Sequence, residues 1–491
     1  MTSESADPCI LAAHLDSLNV GQPRRRRVAT TLSRMAGRRC QSALKDSRHA
    51  NAPHRRHAFW MVHNLLQERC LTVTVVGISD LLGSENRSRF LRAASPLIAL
   101  HLPWIRTARY LAHVYSAGTG GTEESARARF GPLLGMKVAL DEWMMALGSF
   151  SEIPAPADVA RIHKEVLVAA DLFEDQGWVH EPSSYHETPP SLAKPKIHSA
   201  RVALTRYEHL RFDSGYEPHA GEPGRERWLA NLPNRTAHAW VLRHASGNRP
   251  WLICVHGWRM GVPALDLAAF RAKRLHRQLG FNVILPVLPL HGLRAIGSSG
   301  GGFLAADALN TVHAMAQAIW DLRRILSWIR LQDCPRVGAY GLSLGGYTVA
   351  LLATLEERLD CVIAGIAPSD FVDLARAHSH PLIAALARYG APPEQDARSV
   401  FRVVSPLAAP PRVPWPNRYI FGGLADRMVP RRQVRALWEH WQRPTIAWYN
   451  GSHLSFGSEG EVRVLLRKAF VQLRQSADSE VSASKRWSAV A

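Results

Sequence analysis

The sequence predicts an α/β fold, a doubly wound and mostly parallel sheet, with a mainly helical N-terminal region and a small cap insert. Three observations predict it. Beyond residue 200, short apolar runs alternate with amphipathic segments, as expected of parallel strands joined by helices that cover both faces of a sheet. The chain has 491 residues, 46% of them hydrophobic and 21% charged, enough to bury a full core without disulfides or metal. No fixed-period helical repeat is visible along it, which argues against a solenoid.

Residues 1–58 are rich in Arg and Ser, carry little apolar pattern and are expected to form a flexible basic leader. Eleven Lys/Arg against four Asp/Glu give residues 1–60 a net +7 of the chain's +19, including the run Arg24, Arg25, Arg26, Arg27. Charge concentrated in this way points to peripheral contact with anionic surfaces and not to a specific nucleic-acid reader. A secretory signal is not expected, because residues 10–20 contain His14, Asp16 and Asn19. The Arg run is not followed by the apolar segment of a twin-arginine signal. No apolar run approaches the roughly 18 residues of a membrane span; residues 93–105 come nearest and are broken by Ser95, Pro96, His101 and Pro103. Cys9, Cys40, Cys70, Cys254, Cys334 and Cys361 lie far apart with no CxxC pair. That pattern supports neither a disulfide framework nor a structural zinc site, and the expected location is cytoplasmic.

From 59 to 180 the apolar residues fall at helical spacing, as in 135–150 and 160–173, so this region reads as mainly helical. Residues 181–234 read as a linker or wrapping segment, with four prolines between 181 and 196. An α/β domain then occupies 235–475. Its expected strands are 237–243, 251–255, 282–288, 336–340, 361–366, 418–421 and 445–449, with helices at 305–331, 345–355, 431–441 and 459–473. Residues 371–416 break the alternation, being apolar at helical spacing and then proline-rich, and read as a cap over the carboxyl edge of the sheet. Residues 476–491 read as a flexible tail.

The chemistry centres on Gly341-Leu342-Ser343-Leu344-Gly345-Gly346, directly between an expected strand and an expected helix. A serine on such a sharp turn projects its Oγ above the sheet, and small residues two positions either side let neighbouring chain approach. The helix N-terminus favours negative charge developing beside the hydroxyl. A serine hydroxyl needs an oriented imidazole to take its proton. Asp426 follows a late strand in a Gly-rich turn, and His453 follows the next strand in Asn450-Gly451-Ser452-His453. Asp360, Asp370, Asp373 and Asp396 are rival carboxylates, and His440, within a polar helix, is the rival imidazole.

The order Ser343, Asp426, His453 at strand ends resembles the α/β-hydrolase superfamily over roughly residues 235–475. That resemblance implies a Ser-Asp-His triad and an oxyanion hole. In this chain His256-Gly257-Trp258 follows an early strand, so by resemblance the N–H groups of Trp258 and Leu344 would bind the oxyanion. The segment Pro289 to Gly292 and the loop Gly297 to Gly302 (GSSGGG) depart from the plainest members, being longer and richer in glycine, and the loop is expected to line the site.

The expected activity is that of a serine hydrolase cleaving a small-molecule carboxylic ester through an acyl-enzyme, with an apolar acyl group favoured by the cap and no cofactor needed. The alternatives are an acyltransferase using the same triad and a non-catalytic scaffold for an anionic partner. The remaining features have simpler readings. Gly297 to Gly302 lacks the Lys-Ser/Thr of a phosphate loop. His49, His54 and His57 sit among Arg55 and Arg56 without carboxylate or thiolate partners for a metal. Trp415, Trp438, Trp441 and Trp448 are expected mainly in the core.

Overall fold

A computed structural model of the protein describes residues 103–115, 128–149, 156–245, 248–332, 334–378 and 392–488. Two compact units divide the chain, Met1–Gly118 with His380–Tyr389 and Thr119–Ser379 with Gly390–Ala491. In the first, the described residues form one helix over 103–115. The leader, with His49, His54 and His57, lies outside the described residues, as do Cys9, Cys40 and Cys70.

Among the described residues the second unit holds nine strands: β1 (Lys196–Val202), β2 (Thr205–Asp213), β3 (Thr236–Leu242), β4 (Trp251–Val255), β5 (Asn282–Pro286), β6 (Val337–Leu342), β7 (Cys361–Gly365), β8 (Arg418–Gly423) and β9 (Thr445–Tyr449). They form one sheet in the order β1-β2-β3-β5-β4-β6-β7-β8-β9. Pairing is antiparallel from β1 through β3 to β5, and parallel from β5 onward. This is a doubly wound, mostly parallel sheet with antiparallel strands at one edge, the α/β class that the sequence predicts. Every residue of β4, β5, β6 and β7 is buried, which explains why these strands are continuous apolar runs.

Among the described residues the longer helices that frame the sheet and the site are α1 (Pro132–Ser149), α2 (Pro156–Asp175), α3 (Ala308–Arg330), α4 (Leu344–Leu355), α5 (Phe371–His378), α6 (Glu394–Arg402), α7 (Arg431–His440) and α8 (Gly460–Ser488). Alternate residues of a strand feed opposite cores. Trp251, Ile253 and Val255 of β4 pack with α2, α3, α4, α6 and α7 on one face. Leu252 and Cys254 pack with Pro263–Ala269, Ala272–Arg277 and α8 on the other. Trp441 is fully buried, Trp438 and Trp448 pack at the edge of the first core, and Trp415 is half exposed. Among the described residues no helix is long and apolar enough to cross a membrane.

Two segments differ from the sequence reading. The expected linker 181–234 contains the β1–β2 hairpin, which extends the sheet. β1 is mostly exposed, so it lacks the apolar run that marks a buried strand. Its turn at Ala203 and Leu204 takes a positive φ of 46° at Ala203 without Asn or Gly, so the usual hairpin signal is missing too. The second is α8, which runs to Ser488 where a flexible tail was expected from 476. Its buried apolar spacing reaches Leu473, and the sequence beyond it has no regular apolar spacing to mark a helix. Within the expected cap 371–416, α5 and α6 are helical and 379–391 lies outside the described residues.

Candidate active site

The strand order reverses at β4, which has β5 on one side and β6 on the other. In open α/β sheets the crevice beyond the carboxyl ends of the strands at such a point is where ligands bind. Two segments meet there, the 256–261 turn after β4 and the turn from β6 into α4.

Ser343 occupies the second turn with φ 55° and ψ −117°, a region that a residue with a side chain rarely adopts. The turn is locked by backbone: Ser343 N–H donates to the Gly365 carbonyl at 2.9 Å, and Tyr347 N–H donates to the Ser343 carbonyl at 3.0 Å. Its glycines are steric necessities. A Cβ on Gly341 would stand 2.0 Å from the Gly345 carbonyl oxygen, and one on Gly345 would stand 1.9 Å from that of Val255. The 256–261 turn lies alongside, since a Cβ on Gly257 would meet Ser343 Cβ at 3.5 Å. Leu344 opens α4, so its N–H has no partner within the helix. Trp258 follows Gly257 in the adjoining turn.

The loops around this turn brace one another. Trp258 Nε1 donates to the Gly300 carbonyl at 2.9 Å, Ser299 Oγ donates to the Met260 carbonyl at 2.5 Å, and Gly292 N–H donates to Ser299 Oγ at 2.9 Å. The Gly-rich 297–302 loop is therefore packed against the segment that carries Trp258. His256 is fully buried; its Nε2 accepts from Leu288 N–H at 3.1 Å, which leaves Nδ1 to donate to the Gly257 carbonyl at 2.8 Å. With both nitrogens engaged, His256 shapes the turn.

Asp426 and His453 meet directly, with His453 Nδ1 2.7 Å from Asp426 Oδ2 and both residues buried. Asp426 follows β8 and His453 follows β9, at the same carboxyl edge of the sheet as Ser343. Leu424 and Ala425 N–H groups donate to the Tyr449 and Gly451 carbonyls at 2.9 and 3.0 Å, stitching the two loops together. The other Asp426 oxygen, Oδ1, accepts from Met428 and Val429 N–H at 2.9 and 2.7 Å, which fixes Oδ2 toward the imidazole. No hydrogen bond joins Ser343 Oγ to His453 in this structure. Burial opposes a charged His453, but the Asp426 carboxylate, its hydrogen bond and the Asp141 carboxylate outweigh it and raise the imidazole pKa above its ordinary value.

Most of the rival groups are engaged elsewhere. Asp360 takes Arg336 and the Val337 N–H, Asp370 takes Arg398, and Asp373 takes Arg432 and Gln433. Asp396 lies in the first turn of α6. His440 Nε2 is 2.9 Å from the Ala409 carbonyl.

Sequence reasoning missed Asp141 and Glu142, on α1. Asp141 is fully buried behind the Asp426–His453 pair. Its Oδ2 accepts from His453 N–H at 2.8 Å and Arg427 N–H at 3.1 Å, and its Oδ1 accepts from Leu454 N–H at 3.3 Å. Glu142 Oε1 accepts from Arg427 Nε at 2.8 Å. One signal could have found them: adjacent carboxylates inside the apolar VALDEWMMAL are costly to bury without partners.

A cavity of about 630 Å³ opens beside Tyr347, Phe371, Arg398 and Phe401, and Ser343, Asp426 and His453 do not line it. Among the described residues no cluster of three or more His, Cys, Asp or Glu is placed to hold a metal ion.

Two solved structures similar in shape are the acetyl xylan esterase from Paenibacillus sp. R4, 17% identical with a TM-score of 0.41, and acetyl xylan esterase 1 from Thermoanaerobacterium sp. JW/SL YS485, 17% identical with a TM-score of 0.42. Each match covers 60% of this chain and 93% of the other. At that level the likeness decides nothing, and the fold rests on strand order and the serine turn. No protein-family model matches the chain. Two relatives from Mycobacterium tuberculosis are far more similar in sequence. The uncharacterized protein MT2702 of strain CDC 1551 / Oshkosh is 39% identical over 400 residues, covering 79% of this chain and 95% of the relative. The uncharacterized protein Rv2627c of strain ATCC 25618 / H37Rv is 38% identical over the same length and coverage. With that identity across nearly the whole length of both relatives, the chain belongs to the family of these mycobacterial proteins.

Proposed function

We propose that the protein is a serine hydrolase that cleaves carboxylic esters through an acyl-enzyme. The observation that carries this reading is the strained Ser343 turn at the switch point of the sheet. A backbone conformation costing about 1–3 kcal/mol persists where the surroundings enforce it, and such strain clusters at reactive sites.

In this mechanism Ser343 Oγ attacks the acyl carbon while His453 Nε2 takes the hydroxyl proton. Asp426 holds Nδ1–H and so fixes the tautomer that leaves Nε2 free to accept. The N–H groups of Leu344 and Trp258 stabilise the oxyanion. Collapse of the tetrahedral intermediate breaks the acyl–oxygen bond, and His453 returns the proton to the leaving alcohol. Water, deprotonated by the same imidazole, then releases the acid and restores Ser343. No cofactor enters the steps.

The test is hydrolysis of p-nitrophenyl esters graded from acetate to palmitate. The wild-type protein is expected to turn over at least one of them, with the preferred length reporting the acyl pocket. Ser343→Ala is expected to lower kcat on the order of 10⁶-fold. Equal rates in the two proteins would refute the proposal.

A further inference from the structure

α1 lies about 300 residues from His453 in sequence, yet it is fastened to the loops of the candidate site at several points. Lys137 Nζ donates to Glu459 Oε1 at 2.6 Å. Just before the helix, Arg129 N–H donates to Asn450 Oδ1 at 2.8 Å. Glu142 holds the Arg427 side chain. Between these clamps Asp141 receives backbone N–H groups from both loops, Arg427 on the Asp426 side and His453 with Leu454 on the other. A single carboxylate thus fixes the separation of the two loops that must present Asp426 to His453.

We propose that Asp141 is a positioning residue for the Asp426–His453 pair, supplying a second buried negative charge behind the imidazole and holding both loops in register through their backbone. This rests on reading His453 as the general base. The groups around Asp141 are Asp426 and His453, Tyr449 of β9, and Arg427 with its partner Glu142; further along the same helix Lys137 pairs with Glu459. Burial and the neighbouring Asp426 charge push the Asp141 carboxyl up to about 6, against the opposing pull of His453 and the backbone N–H groups. Above that pH it is charged, and it adds to the field that favours imidazolium. The imidazolium formed as Ser343 loses its proton would therefore be stabilised by two carboxylates, only one of which touches the ring.

The experiment compares the wild-type protein with Asp141→Asn and Lys137→Gln. It reads the pH titration of the His453 imidazole by NMR, the signal being assigned by its loss in His453→Gln, together with the pH profile of Ser343 labelling by a fluorophosphonate. Asn cannot accept from all three N–H groups, because its NH₂ must face one of them. In Asp141→Asn the His453 titration is expected to move to lower pH and plateau labelling to fall by about 10²-fold, the scale of a small misplacement at a reacting centre. Lys137→Gln loosens the helix without removing the buried charge, so the titration should stay in place. A His453 titration at the wild-type pH in folded Asp141→Asn overturns the proposal. If that variant does not fold, Asp141→Glu decides: the charge is kept and displaced by one methylene, so labelling should fall with its acid limb unmoved, and an unchanged plateau overturns the proposal. Should wild-type Ser343 resist labelling at every pH, the hydrolase reading fails while the histidine titration still decides the role of Asp141.

Discussion

At His453, two opposing effects act on one ring. Burial disfavours the imidazolium, while the Asp426 and Asp141 carboxylates favour it, and the carboxylates win. A general base must be neutral to accept a proton, so the raised pKa sets the sign of the pH dependence: kcat/KM should rise with pH through a group titrating above the ordinary histidine value of about 6.5 and level off beyond it. Replacing Asp426 with Asn should lower kcat by about 10⁴-fold, because the amide favours the wrong tautomer, and should displace the acid limb to lower pH. Ester kinetics across pH, with circular dichroism as the check on folding, measure both effects. The strand ends that carry Ser343, Asp426 and His453 were legible because the apolar run of each strand is plain. Asp141 was not, because its partners are backbone N–H groups that leave no mark on side-chain pattern.

The strand-turn-helix element from β6 to α4 is where sequence and geometry agree most closely, and the reason is steric. The glycines of Gly341-Leu342-Ser343-Leu344-Gly345 stand where carbonyl oxygens of the turn and of β4 would collide with any Cβ. Gly345→Ala should therefore destabilise the protein by more than about 3 kcal/mol, beyond ordinary overpacking, because the obstacle is backbone and not a side chain able to rotate away. Gly457→Ala, where an added Cβ meets nothing within 4 Å, should change stability by less than about 0.5 kcal/mol. Denaturant titration of both variants gives the comparison. The β1–β2 hairpin marks the limit of the same reasoning. An exposed edge strand needs no apolar run, and a turn at Ala203 carries no glycine, so neither signal that reveals a strand was present.

Across the whole molecule, the parallel half of the sheet supplies the turns that carry Ser343, Asp426 and His453, and a helix from well before the sheet closes over two of them. The alternation of strands and helices revealed the first arrangement. The second depends on contacts between segments hundreds of residues apart, which periodicity does not report. The proposed mechanism requires one activated hydroxyl, Ser343, at the carboxyl edge of that sheet. Reaction with a fluorophosphonate followed by peptide mass spectrometry tests this most directly, since only a base-activated hydroxyl beside oxyanion donors reacts quickly. A single adduct on Ser343, lost in His453→Gln, is the predicted result; an adduct on another serine, or an unmodified Ser343, would contradict it.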